Sequence, residues 1–349
     1  MTVTAPSPLD RPAVSPPGPR WINRPIGDLA IAFCWLPASV VAFVLNDRVS
    51  ALRTFVGIVF IVSFLHQPLT LGLVYGDREQ FNRRRLLYVV TPFVAFAAVL
   101  IGRNISLTMV GIIAGAWNIE HTLMQRYGLV RIYGRKGGDE HGRLEKSMLI
   151  SWLVAVLAWL VTFSDLEALI RHIGMGATNA SGVRFLSSSR PVTQWLLIPV
   201  LATAAWFTVK WVRAEVRSVA TRNPAKYLYM LSTALLLALM VVHPIAGFAG
   251  YVAGHSIEYF AIVHRSLSKR AATGDVSLVA RATRTPGRRG LIYTGYVAAI
   301  GAFIWATGSV LPEHLYAFAI LFLGAMHIFY DGFVWKLGRP KLAASLGIA

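Results

Sequence analysis

Cysteine and charge are the two properties in which this sequence is poorest. Its 349 residues include one cysteine, Cys34, which excludes an internal disulfide framework and any metal site built from several cysteines. Only 14% of the residues are charged, whereas a soluble domain carries about 25%. Because 55% of the residues are hydrophobic, the polar side chains are too few to cover a water-soluble globule. The composition therefore predicts an integral membrane protein.

Negative charge is especially scarce, with 16 Asp and Glu residues against 34 Lys and Arg residues. A net charge of +18 would suggest a nucleic-acid partner if the protein were soluble. Here the basic residues stand in short clusters between apolar runs, which is the distribution expected of cytoplasmic loops in a membrane protein. We therefore expect no nucleic-acid partner.

Apolar segments of roughly 17–23 residues, the length that crosses a bilayer as a helix, follow one another along the chain. They predict an all-α fold: a polytopic transmembrane helical bundle of about ten spans, forming a single domain over 26–340. The Pro- and Ser-rich residues 1–25 are predicted to be a disordered cytoplasmic tail. The predicted spans lie near 29–45, 54–75, 86–102, 105–127, 148–163, 195–213, 227–243, 245–264, 291–308 and 315–335.

The basic residues also predict the orientation of this bundle. With the N-terminus in the cytoplasm, 28 of the 34 Lys and Arg residues fall on the cytoplasmic side of a ten-span chain. Both termini are then cytoplasmic. The polar loop 265–290 is predicted to be cytoplasmic, and the polar loop 164–194 to face the other side. The expected location is a plasma membrane of the bacterial (inner-membrane) type.

Ionisable side chains inside the predicted spans are few, and such groups are usually functional because burying them is expensive. Four spans that run in the same direction each carry a histidine, at roughly 9–14 Å below the cytoplasmic boundary by the helical rise of 1.5 Å per residue. Three carboxylates lie in or beside the same layer. The set consists of His66, Glu120, His121, His255, Glu258, His327 and Asp331.

The spacing within this layer points to a metal site. His255 and Glu258 are three residues apart, and His327 and Asp331 are four apart, so each pair shares a face of its helix. Helical bundles build metal sites from such pairs, and imidazole with carboxylate suits non-haem iron. Glu120 is predicted as a ligand or as the residue that orients a ligating histidine, and Glu120 and Asp331 are the candidate catalytic carboxylates. The predicted metal ligands are His66, His121, His255, Glu258, His327 and Asp331.

Histidines on several helices of a small membrane protein, without the HxxxH and HxxHH boxes of membrane desaturases, resemble the Brp/Blh carotenoid-cleaving dioxygenases. The resemblance rests on His66, His121, the stretch 254–259 and His327. It implies intramembrane histidines that hold a non-haem iron and cleave β-carotene oxidatively to retinal. It covers the layout of the helices rather than continuous sequence. The three carboxylates depart from an all-histidine site and leave room for two metal ions.

These features predict a membrane-embedded oxidoreductase that activates dioxygen against a lipophilic substrate, a membrane lipid or lipophilic small molecule entering from the bilayer. The expected cofactor is one or two iron ions, with another divalent transition metal as the alternative. A soluble electron donor would dock on the basic cytoplasmic loops. The main alternative is a metal-ion or proton-coupled transporter that uses the same layer. One further alternative is a transferase that uses a His or Asp as its base. Another is a purely structural role, in which the layer forms hydrogen bonds between helices. Whether His243 and His264 belong to the site stays open.

Overall fold

The structure is a computed structural model that describes residues 20–174, 177–272, 277–337 and 340–348, so that most of the predicted tail lies outside it. Every regular element in these ranges is helical, as predicted for an all-α chain. A short 3-10 turn, Val219–Thr221, follows the ninth α-helix. The α-helices are α1 (Pro25–Ala32), α2 (Leu36–Val44), α3 (Val49–Tyr75), α4 (Arg78–Arg83), α5 (Arg85–Lys136), α6 (Gly142–Phe163), α7 (Leu166–His172), α8 (Ala177–Ser188), α9 (Arg190–Arg217), α10 (Pro224–Val242), α11 (Pro244–Ala272), α12 (Leu278–Ala282), α13 (Pro286–Val310), α14 (Glu313–Val334) and α15 (Pro340–Ser345).

Seven helical segments among the described residues are long and apolar enough to cross a membrane, which indicates an integral membrane protein. Helices α1 and α2 qualify together as an eighth span, bent by 41°. All ten predicted segments are helical. However, 105–127 and 245–264 do not reach the hydropathy of the other spans, because they contain the polar residues of the predicted layer. The total of ten spans and the cytoplasmic termini stay predictions.

Helix α5 folds back on itself at Ser106, whose backbone is extended (φ −163°, ψ 106°). A Cβ atom placed on Gly102 would lie 2.5 Å from Cγ2 of Val110. Eight residues of straight helix would separate these two positions by roughly 12 Å. Helix α5 therefore consists of two arms, Arg85–Ser106 and 107–136, as the two separate predicted spans require.

Helices α9 and α13 present apolar side chains to the outside of the bundle. Trp195 on α9 is 85% exposed, and Trp305 on α13 is 75% exposed. Among the described residues of α13, Ile304, which is 9% exposed, is the only buried one. Apolar surface of this extent is unfavourable in water and is what a spanning helix presents to lipid.

Helix α11 is the centre of the bundle, where it contacts α1, α2, α3, α5 and α10. Two of its glycines permit this close packing. A Cβ atom at Gly250 would collide with Oγ of Ser39, and one at Gly254 would lie 2.9 Å from Cβ of Trp35. Glycines four residues apart are the spacing that lets membrane helices approach each other closely. The contact carries the next residue, His255, into the interior.

A buried network of charges joins α5, α6, α9 and α10. Nζ of Lys226 lies 2.6 Å from carboxylate oxygens of Asp139 and of Glu145, and it also contacts Glu215. Nη1 of Arg131 donates to Asp139 at 2.9 Å and to Glu145 at 2.8 Å. Burial alone would raise the pKa of the Asp139 carboxyl, but hydrogen bonds from Lys226 and from a backbone N–H hold that pKa well below its usual value. Asp139 is therefore ionised at neutral pH and helps to fasten the four helices.

Helical turns extend into both segments that the sequence predicts as polar loops. Helices α7 and α8 occupy much of 164–194. In 265–290, α11 continues to Ala272, and α12 precedes the start of α13. The side of the membrane that each segment faces stays a prediction.

Labelling of single cysteines tests this orientation. With Cys34 replaced by alanine, Ser188→Cys should react with a membrane-impermeant maleimide from outside the cell, and Ala282→Cys should react only after the membrane is opened. Both positions are exposed, and neither substitution removes a basic residue, so the positive-inside distribution is unchanged. The opposite labelling pattern would invert the predicted topology.

Candidate metal centre

Histidines from four different helices meet in the interior of the bundle. His66 on α3, His121 on the second arm of α5, His255 on α11 and His327 on α14 are each 9% exposed or less. Nε2 of His327 lies 3.1 Å from Nε2 of His66 and 3.2 Å from Nε2 of His121. The ring of His255 packs against those of His66 and His121, with centroids 4.6 and 5.2 Å apart. The four predicted histidines thus form one cluster.

Asp331 adds a carboxylate to the four histidines, and we call the five residues the histidine–aspartate cluster. Oδ2 of Asp331 lies 3.7 Å from Nε2 of His121 and 3.7 Å from Nε2 of His327. Two sets of residues offer metal donor atoms that lie within 4.8 Å of one another: His66, His255 and His327 form one, and His121, His327 and Asp331 form the other. His327 belongs to both sets.

The spacing of the imidazole nitrogens fits a bound metal ion. With metal–nitrogen bonds of about 2.0–2.1 Å, two such nitrogens on one ion lie roughly 2.9 Å apart at a right angle and roughly 3.4 Å apart at the tetrahedral angle. The two Nε2–Nε2 distances at His327, 3.1 and 3.2 Å, fall between these limits. Each of the two pairs, His327 with His66 and His327 with His121, is therefore spaced as two ligands of one ion would be, although His66 and His121 do not share a set of donors.

Hydrogen bonds determine which atoms of His327 and Asp331 face the centre. Nδ1 of His327 lies 2.8 Å from Oγ1 of Thr70, and Thr70 donates to Oδ1 of Asp331 at 2.9 Å. The hydroxyl of Tyr259 donates to the same Oδ1 at 3.0 Å. Because Thr70 has one hydroxyl proton and gives it to Asp331, Nδ1 of His327 must be the donor in the other bond. Nε2 of His327 and Oδ2 of Asp331 therefore keep free lone pairs.

His255 distinguishes a metal site from a purely structural network of hydrogen bonds. Among the described residues, neither Nδ1 nor Nε2 of His255 has a hydrogen-bond partner, although the side chain is buried. A buried polar group without a partner is costly, and such groups in native proteins call for an explanation. Hydrogen bonds between the other rings would leave both nitrogens of His255 unsatisfied, whereas an ion within the cluster would bind one of them.

Glu258, a predicted ligand, lies outside the histidine–aspartate cluster. Its Oε1 accepts a hydrogen bond of 2.6 Å from Nη1 of Arg126, and both side chains are almost completely buried. Arg126 also donates to Thr233 and Ser232 at 3.0 and 2.9 Å. The structure therefore corrects the prediction for Glu258: its position three residues after His255 turns it toward Arg126, whose charge it neutralises.

Glu120, His243 and His264 also lie apart from the cluster. Glu120 is half-buried and belongs to neither set of metal donors among the described residues, since it is rotated about 100° from His121 on the helix. Nδ1 of His243 accepts the backbone N–H of Ala246 at the start of α11. Nδ1 of His264 lies 3.0 Å from the hydroxyl of Tyr293 on the exposed side. This geometry supports neither the predicted role of Glu120 nor the inclusion of His243 and His264 in the site.

A third set of donors, Asp139, His141 and Glu215, belongs to the buried charge network. Nδ1 of His141 lies 2.7 Å from Oδ1 of Asp139. The ammonium group of Lys226 contacts both carboxylates of this set, so a cation already occupies the position that a metal ion would take. This set is therefore structural.

Each histidine of the cluster is followed, four residues later, by a polar residue that lies in or beside the site. Three of these, Thr70, Gln125 and Tyr259, were not among the predicted site residues; the fourth is Asp331. Nε2 of Gln125 donates to the backbone carbonyl of His255 at 2.8 Å. The common spacing of four on all four helices is a signal in the sequence that would have identified them, because residues four apart share a helix face.

A pocket of about 370 Å³ opens onto the cluster. His121, Asp331 and Tyr259 line its inner end, and Arg131 and Arg135 line the part near the end of α5. The volume is within the range of roughly 300–1,000 Å³ typical of sites for small molecules. A ligand in this pocket would therefore touch two residues of the cluster directly.

Comparison with family models, with curated proteins and with solved structures finds no match for this chain. The function is therefore inferred from the cluster and from the pocket that reaches it.

Proposed function

We propose that the chain is a membrane-embedded oxidoreductase that holds iron in the histidine–aspartate cluster and activates dioxygen against a lipophilic substrate. The observation that carries the proposal is the convergence of four buried imidazoles and a carboxylate at the inner end of an open pocket. Imidazole with carboxylate and open coordination positions suits non-haem iron(II) and oxygen chemistry. The resemblance to the Brp/Blh dioxygenases agrees with this chemistry and stays a hypothesis.

The cluster favours one ion rather than two. His327 belongs to both sets of donors, and its Nε2 is the atom closest to His66 and to His121. A ring nitrogen has one free lone pair and binds one ion, while Nδ1 of His327 is engaged by Thr70. The proposed ligands are His327 together with either His66 and His255 or His121 and Asp331, the other members of its two sets. When bound, the iron would supply the binding and reduction of dioxygen.

The surrounding residues of the chain would orient the ligands and keep water away. Thr70 holds Nδ1 of His327 and Oδ1 of Asp331, and Tyr259 holds the same oxygen, so the two ligands present one atom each to the centre. Partners of this kind fix the orientation and the basicity of metal ligands. Burial of the cluster excludes water, which protects reactive oxygen species from side reactions.

Access for a lipophilic substrate is supported by the wall of the pocket beside Asp331. Gly332 is exposed, and no atom lies within 4 Å of the position that its Cβ would occupy. The wall is therefore open next to the carboxylate, as lateral entry from lipid requires. We further propose a plasma membrane of the bacterial type as the location, and a soluble acidic electron donor that docks on the basic loops.

Iron analysis of the purified protein tests the proposal. We expect about one iron ion per chain in the wild type, since the cluster offers donors for a single ion. Asp331→Asn should lower the iron content at least severalfold, because the amide carries no negative charge and its nitrogen has no lone pair available to bind a metal ion. Asp165→Asn is the matched control: Asp165 caps α7 far along the chain from the cluster, and asparagine caps a helix equally well.

The same variant separates an enzyme from the transporter alternative. If Asp331 relays protons in a transporter, Asp331→Asn should mimic its protonated form and uncouple metal uptake from pH in proteoliposomes. Normal iron content together with altered proton coupling would contradict the proposed oxidoreductase. Iron loss in Asp331→Asn, with no uptake by the wild type, would support it.

A further inference from the structure

One face of the second arm of α5 runs from the histidine–aspartate cluster to the end of the helix. His121, Gln125, Gly128, Ile132 and Arg135 follow each other at spacings of three or four residues and line the same pocket. The first and last are separated by 14 residues, which corresponds to roughly 21 Å of helix at 1.5 Å per residue. The pocket is therefore long and narrow, with the cluster at one end.

The middle of this pocket is apolar and open. Its walls include Met124, Ile262, Trp335 and Leu346. No atom lies within 4 Å of the position that a Cβ of Gly128 would occupy. Glycine in the interior of a helix is less favourable than alanine, and here no neighbouring atom requires it to be so small. An empty space beside Gly128 suits an extended hydrocarbon chain.

The far end of the pocket carries a positive charge. The guanidinium of Arg131 is compensated by the carboxylates of Asp139 and Glu145. Arg135 is exposed, and its Nη1 donates to the backbone carbonyl of Leu337 at 2.9 Å. Among the described residues, no carboxylate forms an ion pair with Arg135. Its remaining N–H groups are therefore available to an anionic ligand, and arginine binds carboxylates with a matching planar geometry.

We propose that this pocket binds a single-chain amphiphile whose carboxylate head lies at Arg135 and whose apolar chain passes Gly128 toward His121 and Asp331. That the bound molecule is the substrate rests on the proposed function. The proposal then narrows the substrate class from lipophilic molecules in general to long-chain carboxylates. The end of the hydrocarbon chain remote from the carboxylate then lies next to the candidate iron site.

Binding of cis-parinaric acid, a fluorescent long-chain carboxylate, to the full-length protein in nanodiscs tests the proposal. Its uncharged methyl ester is the reference probe. We expect the wild type to bind the acid more tightly than the ester, and Arg135→Ala to weaken binding of the acid roughly tenfold or more without changing binding of the ester, since charge-assisted hydrogen bonds are lost. Arg143→Ala is the matched control, because Arg143 lines the neighbouring surface cavity but not this pocket.

Two substitutions at Gly128 test whether the hydrocarbon chain of the ligand passes this residue. Gly128→Phe should abolish binding of both probes by filling the pocket, whereas Gly128→Ala should keep it and leave the helix at least as stable. The size-exclusion profile and the midpoint of thermal unfolding, measured on the same samples, report whether each variant is folded. Equal affinities of the wild type for acid and ester, or equal effects of Arg135→Ala and Arg143→Ala, would overturn the proposal, as would normal binding by Gly128→Phe. Because these probes need no iron to bind, a wild type without iron would overturn the proposed function and leave this test intact.

Discussion

Replacing His327 by alanine is expected to remove nearly all iron from the purified protein and to abolish oxygen-dependent substrate turnover. His327 is the residue common to both sets of donors, and its Nε2 lies 3.1 and 3.2 Å from the corresponding atoms of His66 and His121. Loss of an outer partner of a metal ligand already costs about 10–100-fold in metal affinity or activity, so loss of a direct ligand should exceed this. Iron per chain and dioxygen consumption are the measurements.

The matched control for this substitution is His264→Ala. His264 lies on α11 like His255, but its Nδ1 is hydrogen-bonded to the hydroxyl of Tyr293 and its side chain is exposed. It should keep both iron and turnover. Stoichiometric iron in His327→Ala would contradict the ligand assignment, and iron loss in His264→Ala would show that the effect is not specific to the cluster.

Removing the carboxylate of Glu258 is expected to destabilise the bundle by about 3–5 kcal/mol, because it leaves the charge of Arg126 buried without a partner. The two side chains are 0% and 2% exposed and lie 2.6 Å apart. The pair joins the second arm of α5 to α11, which carry His121 and His255. Thermal unfolding of Glu258→Leu in detergent should therefore show a much lower midpoint, accompanied by loss of iron.

A double variant separates the cost of an unpaired charge from a loss of metal ligation. Arg126→Met combined with Glu258→Leu should recover much of the stability, since replacing a whole buried ion pair by apolar residues is often neutral. The exposed pair Arg83 and Glu79, 3.7 Å apart, is the control, and its removal should change stability by no more than about 1 kcal/mol. A Glu258→Leu protein as stable as the wild type would contradict the role of Glu258 as the residue that neutralises Arg126.

The secondary structure of this chain was predictable because it depends on local sequence. The length of each apolar run and the helical rise are one-dimensional quantities, and all ten predicted segments proved helical. The boundary predicted between the spans 86–102 and 105–127 coincides with the turn at Ser106, where α5 folds back on itself. The number of segments that cross the membrane does not follow as simply, since 105–127 and 245–264, which carry His121 and His255, are less hydrophobic than the other spans.

The depth of the candidate site within the membrane was predictable, but the contacts of its side chains were not. Depth along a helix follows from counting residues, so the four histidines could be assigned to one layer before their contacts were known. The neighbours of each side chain depend on the rotation of its helix. Arg126 was not among the predicted site residues, yet it is buried beside Glu258. Tyr259, which was not predicted to belong to the site either, donates to Asp331.

The sequence alone therefore determined the class of protein, its helices and the histidines that lie at one depth, since these depend on composition and on the helical repeat. Tertiary structure alone decided that Asp331 joins the histidines while Glu258 pairs with Arg126. Both carboxylates stand on the same helix as a histidine, three or four residues after it. A difference of one residue rotates a side chain by about 100°, and which neighbour it then meets depends on how the helices pack.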